Sequence, residues 1–405
     1  MTSLLKFLAV HVILISMHLL SETGSAQLVE KKDDPKGGLK NVAVYSSKLD
    51  VIKFSALQEI AKAESAKLEL VEGTEADWKS VKVSWSDKSL TISRDSGKDL
   101  AGHLNGFQGF VFSQLAGGKM DAHVFQIIKR IGRTKQLFGC VGEPSLHDDS
   151  MKFVSQLATQ EKAICFLDNA VWDSQLKVLI GPENHRDKDA SFPAFDSAVE
   201  RKAATIKSLK AKDIPTLETL PVIVADEEVR LRTARQVARR AVCLMAVACE
   251  AEGRPNFSAL KFLEENGLVD ELTPNEKELL QDRDIFDQSR SKFTWRYESL
   301  AALMWCLKHR EDLPFPDEQQ APAVDIKLIE KDVAGFVKNA KLRSASEILN
   351  QNDLSYRCMW AGVNARQKGA EQKGMILSVV YERLYAFNWI TGLNNKDWDE
   401  VDTDT

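Results

Sequence analysis

Three segments in the second half of the chain are apolar on every side of a helix. Residues 300–307 form an unbroken apolar run, and residues 358–363 are nearly as apolar. Residues 379–390 contain three strongly polar members, which are Glu382, Arg383 and Asn388. A helix that is hydrophobic all round belongs in the middle of a bundle, because it has no face to offer to water. The helical periodicity around these segments predicts an all-α helical-bundle domain over residues 225–405.

The first half has a different pattern, in which short alternating strands are interleaved with helices. Residues 41–182 predict an α+β domain. The order strand, helix, strand, strand occurs twice, with Trp78 and Trp172 in matching places. This repetition suggests a duplicated β-α-β-β unit. Polar, proline-containing stretches predict linkers at residues 27–40 and 183–224.

The N-terminus has the pattern of a secretory signal peptide. Lys6 precedes an apolar run over residues 7–20, and the small residues Gly24 and Ala26 stand where a signal peptidase cuts. Residues 1–26 are therefore predicted to export the protein, either to the periplasm or to the medium, and whether the signal is cleaved stays open. The run is shorter than the ~20 residues that a membrane span needs, so no stable span is expected after cleavage.

Composition and cysteine spacing exclude several classes of protein. Charged residues make up 28% of the 405 residues and the net charge is −5, whereas a general nucleic-acid binder needs a dominant basic face. Cys243 and Cys249 lie on one predicted helix at a spacing too long for a disulfide. Cys140 and Cys165, in two predicted strands, are the pair that could form one. No zinc-ligand spacing occurs, and no cofactor is predicted.

Buried charges, rather than a known motif, are the candidates for chemistry. The sequence lacks the G-x-S-x-G, H-E-x-x-H, P-loop and G-x-G-x-x-G signatures. Four charged residues in apolar helical surroundings are the candidates for catalysis: Glu298, Arg357, Glu382 and Arg383. Six more residues on these helices are candidates for a structural or ligand-binding role: Trp295, Arg296, Asp353, Trp360, Asn388 and Trp389.

Such charges are expected to pair with each other. A buried charge without a partner costs on the order of several kcal/mol. A carboxylate–arginine network among tryptophans can form an active site, or it can form a structural clasp between helices. The clasp is the favoured interpretation, because structural ion pairs also bury charges and shift their pKa values.

The chain ends in an acidic segment that contains a tryptophan, "NNKDWDEVDTDT". Because a tryptophan side chain favours burial, we predict that this segment docks on the protein with Trp398 and Val401 as anchors. Its aspartates are then expected to pair with arginines. These aspartates are Asp399, Asp402 and Asp404, and a stripe at helical spacing offers Arg232, Arg235 and Arg239. The alternatives are a solvated tail and a weak cation site made of the three aspartates, since oxygen ligands at short spacing can hold Ca²⁺.

The second half also resembles a known family. Four stretches carry the resemblance: "FTWRYESLAALMWCLKHREDLPFPDE", "EILNQNDLSYRCMWAGVNAR", "VVYERLYAFNWITG" and the closing "DWDEVDTDT". They resemble the motifs of domain of unknown function 4272, over residues 229–405. The resemblance implies a separate domain with a set of special positions, and it implies no reaction.

Two functions are consistent with these features. The lack of catalytic signatures favours an exported, non-catalytic binding or interaction protein, whose partner is a protein or a small molecule and not a nucleic acid. The alternative is a hydrolase-like enzyme, with Glu298 or Glu382 as the acid/base and Arg357 or Arg383 as an anion clamp. Carboxylates that open into a pocket would favour the enzyme, and carboxylates sealed under tryptophans would favour the clasp.

Overall fold

A computed structural model describes residues 38–95, 100–115, 120–392 and 396–403. The predicted signal peptide and Asp404 lie outside these residues. The chain divides into two compact units. The first runs to Ser46 and resumes over Ile52–Phe192, and the second comprises Ser47–Val51 and the chain from Pro193 onward. The first unit is α+β and the second is helical, which confirms the predicted fold class.

The first unit contains an eight-stranded antiparallel sheet. Its strands are β1 (Asn41–Ser46), β2 (Lys67–Gly73), β3 (Trp78–Trp85), β4 (Lys88–Arg94), β5 (Gln136–Glu143), β6 (Ile164–Leu167), β7 (Ala170–Trp172) and β8 (Val178–Ile180). They lie in the order β2-β3-β4-β5-β1-β6-β7-β8. Four helices of this unit are α1 (Phe54–Ala63), α2 (Leu100–Ser113), α3 (Ala122–Gly132) and α4 (Asp148–Gln160).

Alternation along the strands places a hydrophobic core on each face of the sheet. Successive side chains of a strand point to opposite faces. In β1, Val44 belongs to the core that contains residues of α1 and α4. The next residue, Tyr45, belongs to the core that contains residues of α2 and α3. The helices therefore cover both faces of the central strands.

The element order repeats, but the sheet order does not. Strand, helix and three strands occur twice, with Trp78 in β3 and Trp172 in β7. The first set of three strands, β2–β4, pairs with β5 through its last strand, β4. The second set, β6–β8, pairs with β1 through its first strand, β6. A duplicated unit would join the centre of the sheet by the same end both times. The duplication therefore stays a prediction.

All six cysteines are buried and free. Cys140 and Cys165 are kept apart by β1, because Cys140 pairs in register with Val42 and Cys165 with Val44. Two strand spacings amount to about 9–10 Å, more than the roughly 7 Å between Cα atoms that a disulfide allows. The fold therefore contains no disulfide framework.

The second unit is helical, as predicted. Its helices are α5 (Asp196–Lys210), α6 (Ala234–Glu252), α7 (Ala259–Glu265), α8 (Pro274–Gln281), α9 (Arg283–Thr294), α10 (Arg296–Cys306), α11 (Ala323–Lys331), α12 (Val333–Lys338), α13 (Ala345–Gln367) and α14 (Leu377–Ile390). The apolar run at 300–307 is buried throughout. In the part of the chain that the structure describes, we find no helix with the length and apolarity needed to cross a bilayer.

Capping residues decide where α6 begins and ends. Helix α6 starts at Ala234, because Thr233 and Gln236 form a capping box. It ends at Gly253, since this residue has the left-handed φ of 81° that glycine adopts without strain.

The predicted linker over residues 183–224 is also wrong in most of its length. The division between the units falls between Phe192 and Pro193. Helix α5, which follows, has a buried face that includes Leu209. Leu209 shares a small core with Cys358 and Ala361 of α13. The prolines and polar residues around α5 gave this stretch the composition of a linker, while the buried face of the helix makes it part of the helical domain.

Candidate functional site

Two buried ion pairs cross between α10 and α14. Arg296 contacts Glu382 with Nη1 3.0 Å from Oε2. Arg383 contacts Glu298 with Nη2 3.2 Å from Oε2. Each helix thus supplies one glutamate and one arginine, and we call these four residues the clasp. No side chain of the clasp is more than 8% exposed.

Every carboxylate oxygen of the clasp accepts a hydrogen bond. Arg296 donates to both oxygens of Glu382, and Ser299 Oγ donates to Oε2 at 2.6 Å. The backbone N–H of Gln320 donates to Oε1 of Glu298 at 2.5 Å, while Arg383 donates to Oε2. Each of the two buried carboxylates is therefore fully compensated. A substrate could reach either carboxylate only by displacing one of these donors.

Arginine keeps the clasp charged. Burial acts against the charge of Arg296, but the Glu382 carboxylate outweighs it and raises the pKa of Arg296. At Arg383 burial prevails over Glu298 and lowers the pKa. Because a guanidinium is not deprotonated in proteins, both cations persist at physiological pH.

The other candidates do not join this network. Asp353 and Arg357 pair with each other within α13, with Nε to Oδ2 and Nη2 to Oδ1 both 2.9 Å, and Arg357 also donates to the carbonyl of Pro221. Trp360 is half-buried in the small core around α13, and Trp295 is half-buried at the start of α10. The expectation of one network among tryptophans is corrected to two separate ion-paired groups, because a spacing of four residues on α13 already satisfies Asp353.

The C-terminal segment is docked, as predicted. The Trp398 side chain is 3% exposed and Val401 is 9% exposed. The Trp398 ring stands edge-on to Tyr385 and Trp389 of α14, with centroid distances of 5.1 and 5.3 Å. Such edge-to-face contacts add to the free energy of burial.

Polar contacts fix the backbone of this segment. The hydroxyl of Tyr385 donates to the carbonyl of Trp398, and Asn388 Nδ2 donates to the carbonyl of Asp402 at 2.9 Å. Asp399 accepts from the N–H of Asn275, in the first turn of α8, at 2.9 Å. A carboxylate at this end of a helix is favoured by the helix dipole.

The predicted partners of the arginine stripe need correction. Arg232 donates to the carbonyls of Trp389 and Lys396, at 2.9 and 2.6 Å, and its guanidinium lies 4.6 Å from the Trp389 ring centroid. Arg239 pairs with Glu271 at 2.5 Å. Arg232 therefore links the end of α14 to the docked segment through main-chain oxygens and not through the aspartates.

Sequence reasoning missed Arg240, which lies against Trp398 together with Arg296. Arg240 donates to both oxygens of Glu276, at 2.7 and 2.6 Å, and its guanidinium lies 5.3 Å from the Trp398 ring centroid. The signal was present, because Arg240 shares a helix face with Val237 and Leu244, both fully buried. An arginine on such a face needs an acidic partner, which is here the N3 residue of the α8 capping box.

A cation site at the tail finds no support among the described residues. They contain no group of three or more His, Cys, Asp and Glu side chains placed to hold a metal ion. Asp399 is engaged at the start of α8, and Asp404 lies outside the described residues. Asp402 contributes its carbonyl to Asn388.

The helical half matches a family model, described as "Domain of unknown function (DUF4272)", over residues 201–401. The match begins inside α5, so it reaches further toward the N-terminus than the resemblance over 229–405. No curated protein and no solved structure matches the chain. The clasp and both anchors of the docked segment, Trp398 and Val401, lie within the matched region, and the C-terminal half of this protein belongs to the DUF4272 family.

Proposed function

We propose that this is an exported, non-catalytic binding protein whose partner is a protein or a small molecule. The observation that carries the proposal is the closure of the clasp. Glu298 and Glu382, the two candidates for acid/base catalysis, are 3% and 4% exposed. The clasp then acts as a structural tie that holds α10 against α14.

A hydrolase would use these groups differently. A general acid or base must come within about 2.6–3.2 Å of the proton that it transfers. The oxygens of Glu298 already have Gln320 and Arg383 at such distances, and Arg383 itself also donates to the carbonyl of Pro314 at 2.6 Å. Arg357 is engaged through Nε and Nη2 with Asp353, although its buried Nη1 has no acceptor. The saturation of Glu298 and Glu382, the two candidates for the acid/base, supports the binding protein over the hydrolase.

We expect the wild-type protein to show no turnover on a panel of ester, phosphoester, glycoside and peptide substrates. Glu298→Gln should lower the melting temperature without changing this result, because it weakens the tie to Arg383. Glu265→Gln is the matched control, since Glu265 is exposed at the end of α7. Turnover that Glu298→Gln abolishes while Glu265→Gln retains it would favour the hydrolase and sink the proposal.

Export rests on the signal pattern of residues 1–26. We expect the mature protein from its native host to begin at or near Gln27, as N-terminal sequencing can measure. Ala26→Arg should leave the leader attached, because the cleavage site requires a small residue. An intact Met1 on wild-type protein in the cytoplasm would contradict export while leaving the binding function untouched.

A further inference from the structure

The helical domain contains a cavity of about 470 Å³ whose charged lining residues are all cationic. It lies between the first turns of α6, the end of α7 and helix α12. Arg235, Arg239 and Lys338 line it together with an apolar surface of Leu268, Val333 and Val337. Its volume lies within the roughly 300–1,000 Å³ of small-molecule sites. Three cations in one concavity of a protein with a net charge of −5 create a local field that attracts anions.

Two of the three cations have no partner within the protein, and the third is only partly satisfied. In the part of the chain that the structure describes, neither Arg235 nor Lys338 has an ion-pair or hydrogen-bond partner. Arg239 pairs with Glu271, but its Nε is buried and has no acceptor. Donor capacity is therefore available in the cavity for an acceptor from outside the chain.

The position of Arg235 does not stabilise the helix that contains it. This residue is the second residue of α6, where the positive end of the helix dipole favours an acid and disfavours a cation. The same dipole adds to the positive potential at the cavity. An anion there would compensate both the dipole and the arginine.

We propose that this cavity binds a small carboxylate that carries a short apolar tail. The planar fork of an arginine matches a carboxylate, and the apolar lining offers a surface for a few methylene groups. Ala334, which is exposed, and Val337, which is half-buried, present this surface, and Leu268 and Val333 beneath them are buried in the core. The assignment rests on the proposed binding function and names its ligand class.

Calorimetric titration of the full-length mature protein with hexanoate tests the assignment. We expect hexanoate to bind with a Kd below about 1 mM, acetate to bind more weakly because it lacks the tail, and hexanol to show no binding because it lacks the charge. Inorganic phosphate that binds as tightly as hexanoate would overturn the choice of a carboxylate with an apolar tail. No binding of hexanoate would overturn the site.

Variants of residues in and beside the cavity should change the affinity for hexanoate in opposite directions. Arg235→Ala should weaken hexanoate binding about tenfold or more, because a hydrogen bond to a charged group is lost, and Lys338→Ala should weaken it as well. Glu271→Gln should tighten binding, since it releases Arg239 from its ion pair. Lys341→Ala and Arg366→Ala are matched controls on exposed cations outside the cavity.

An equal loss in the control variants, or no change in Arg235→Ala, would refute the site. Melting temperatures of all variants show whether they fold. Failure here is distinct from failure of the proposed function. Turnover that depends on Glu298 would overturn the binding protein without affecting the cavity, because Glu298 does not line it.

Discussion

Trp398→Ala is expected to destabilise the helical domain by about 3–5 kcal/mol, the usual cost of truncating a buried large aromatic. The side chain is 3% exposed, and its removal leaves a cavity between Tyr385 and Trp389. It also removes the ring that lies against Arg240. Urea unfolding of the full chain, followed by the helical circular dichroism signal, measures the change in the free energy of unfolding.

Glu400→Ala is the matched control for this experiment. Glu400 lies two residues away in the same segment, 62% exposed, with Lys396 at 4.0 Å. Exposed ion pairs contribute about 0–1 kcal/mol, so the control should change little. A Trp398→Ala protein as stable as the wild type would show that the tail is only a solvated end.

The cation alternative predicts a different result when the melting temperature is measured with and without EDTA. EDTA would lower the melting temperature of the wild type, and Asp399→Asn would abolish that response. The docked segment predicts no response to EDTA in either protein. It predicts instead a modest loss in Asp399→Asn, because Asp399 accepts from Asn275.

Breaking one half of the clasp is the second large effect. Glu298→Leu should cost about 3–5 kcal/mol, since removal of one partner of a buried ion pair leaves the other charge uncompensated. Arg383 would then keep the carbonyl of Pro314 as its acceptor but lose its carboxylate. Unfolding of the full chain in urea measures this loss.

The double variant Glu298→Leu/Arg383→Met separates the net contribution of the pair from the penalty of a lone charge. Replacing both partners by apolar residues is often neutral or stabilising by about 1–4 kcal/mol, so the double variant should recover most of the stability. The exposed pair Lys261–Glu265 is the control, and its single variants should cost about 0–1 kcal/mol. A single Glu298→Leu variant as stable as the wild type would contradict a structural clasp.

Local pattern was sufficient to predict the element types. Residues 300–307 are buried as predicted, because a helix without a polar face has one stable environment. Thr233 and Gly253 set the ends of α6 through contacts with neighbouring residues alone. Local composition misled at α5, where a polar, proline-containing stretch includes a helix with a buried face.

Ion-pair partners could not be predicted in the same way. Glu298 and Arg383 are 85 residues apart, and Arg240 and Glu276 are 36 residues apart. Which of several arginines meets a given acid depends on the rotation of one helix against another. Asp353 is the exception, because its partner Arg357 lies one helical turn away.

The sequence by itself determined that an α+β unit precedes a helical bundle, and that Trp398 would be buried. Both follow from the free energy of removing apolar side chains from water, which depends on residue type and periodicity. Tertiary structure alone decided that Arg296 and Glu298 cross to Glu382 and Arg383, and that Arg232 binds carbonyls instead of aspartates. Hydrogen bonds are directional and short-ranged, so these contacts exist only after the helices have packed.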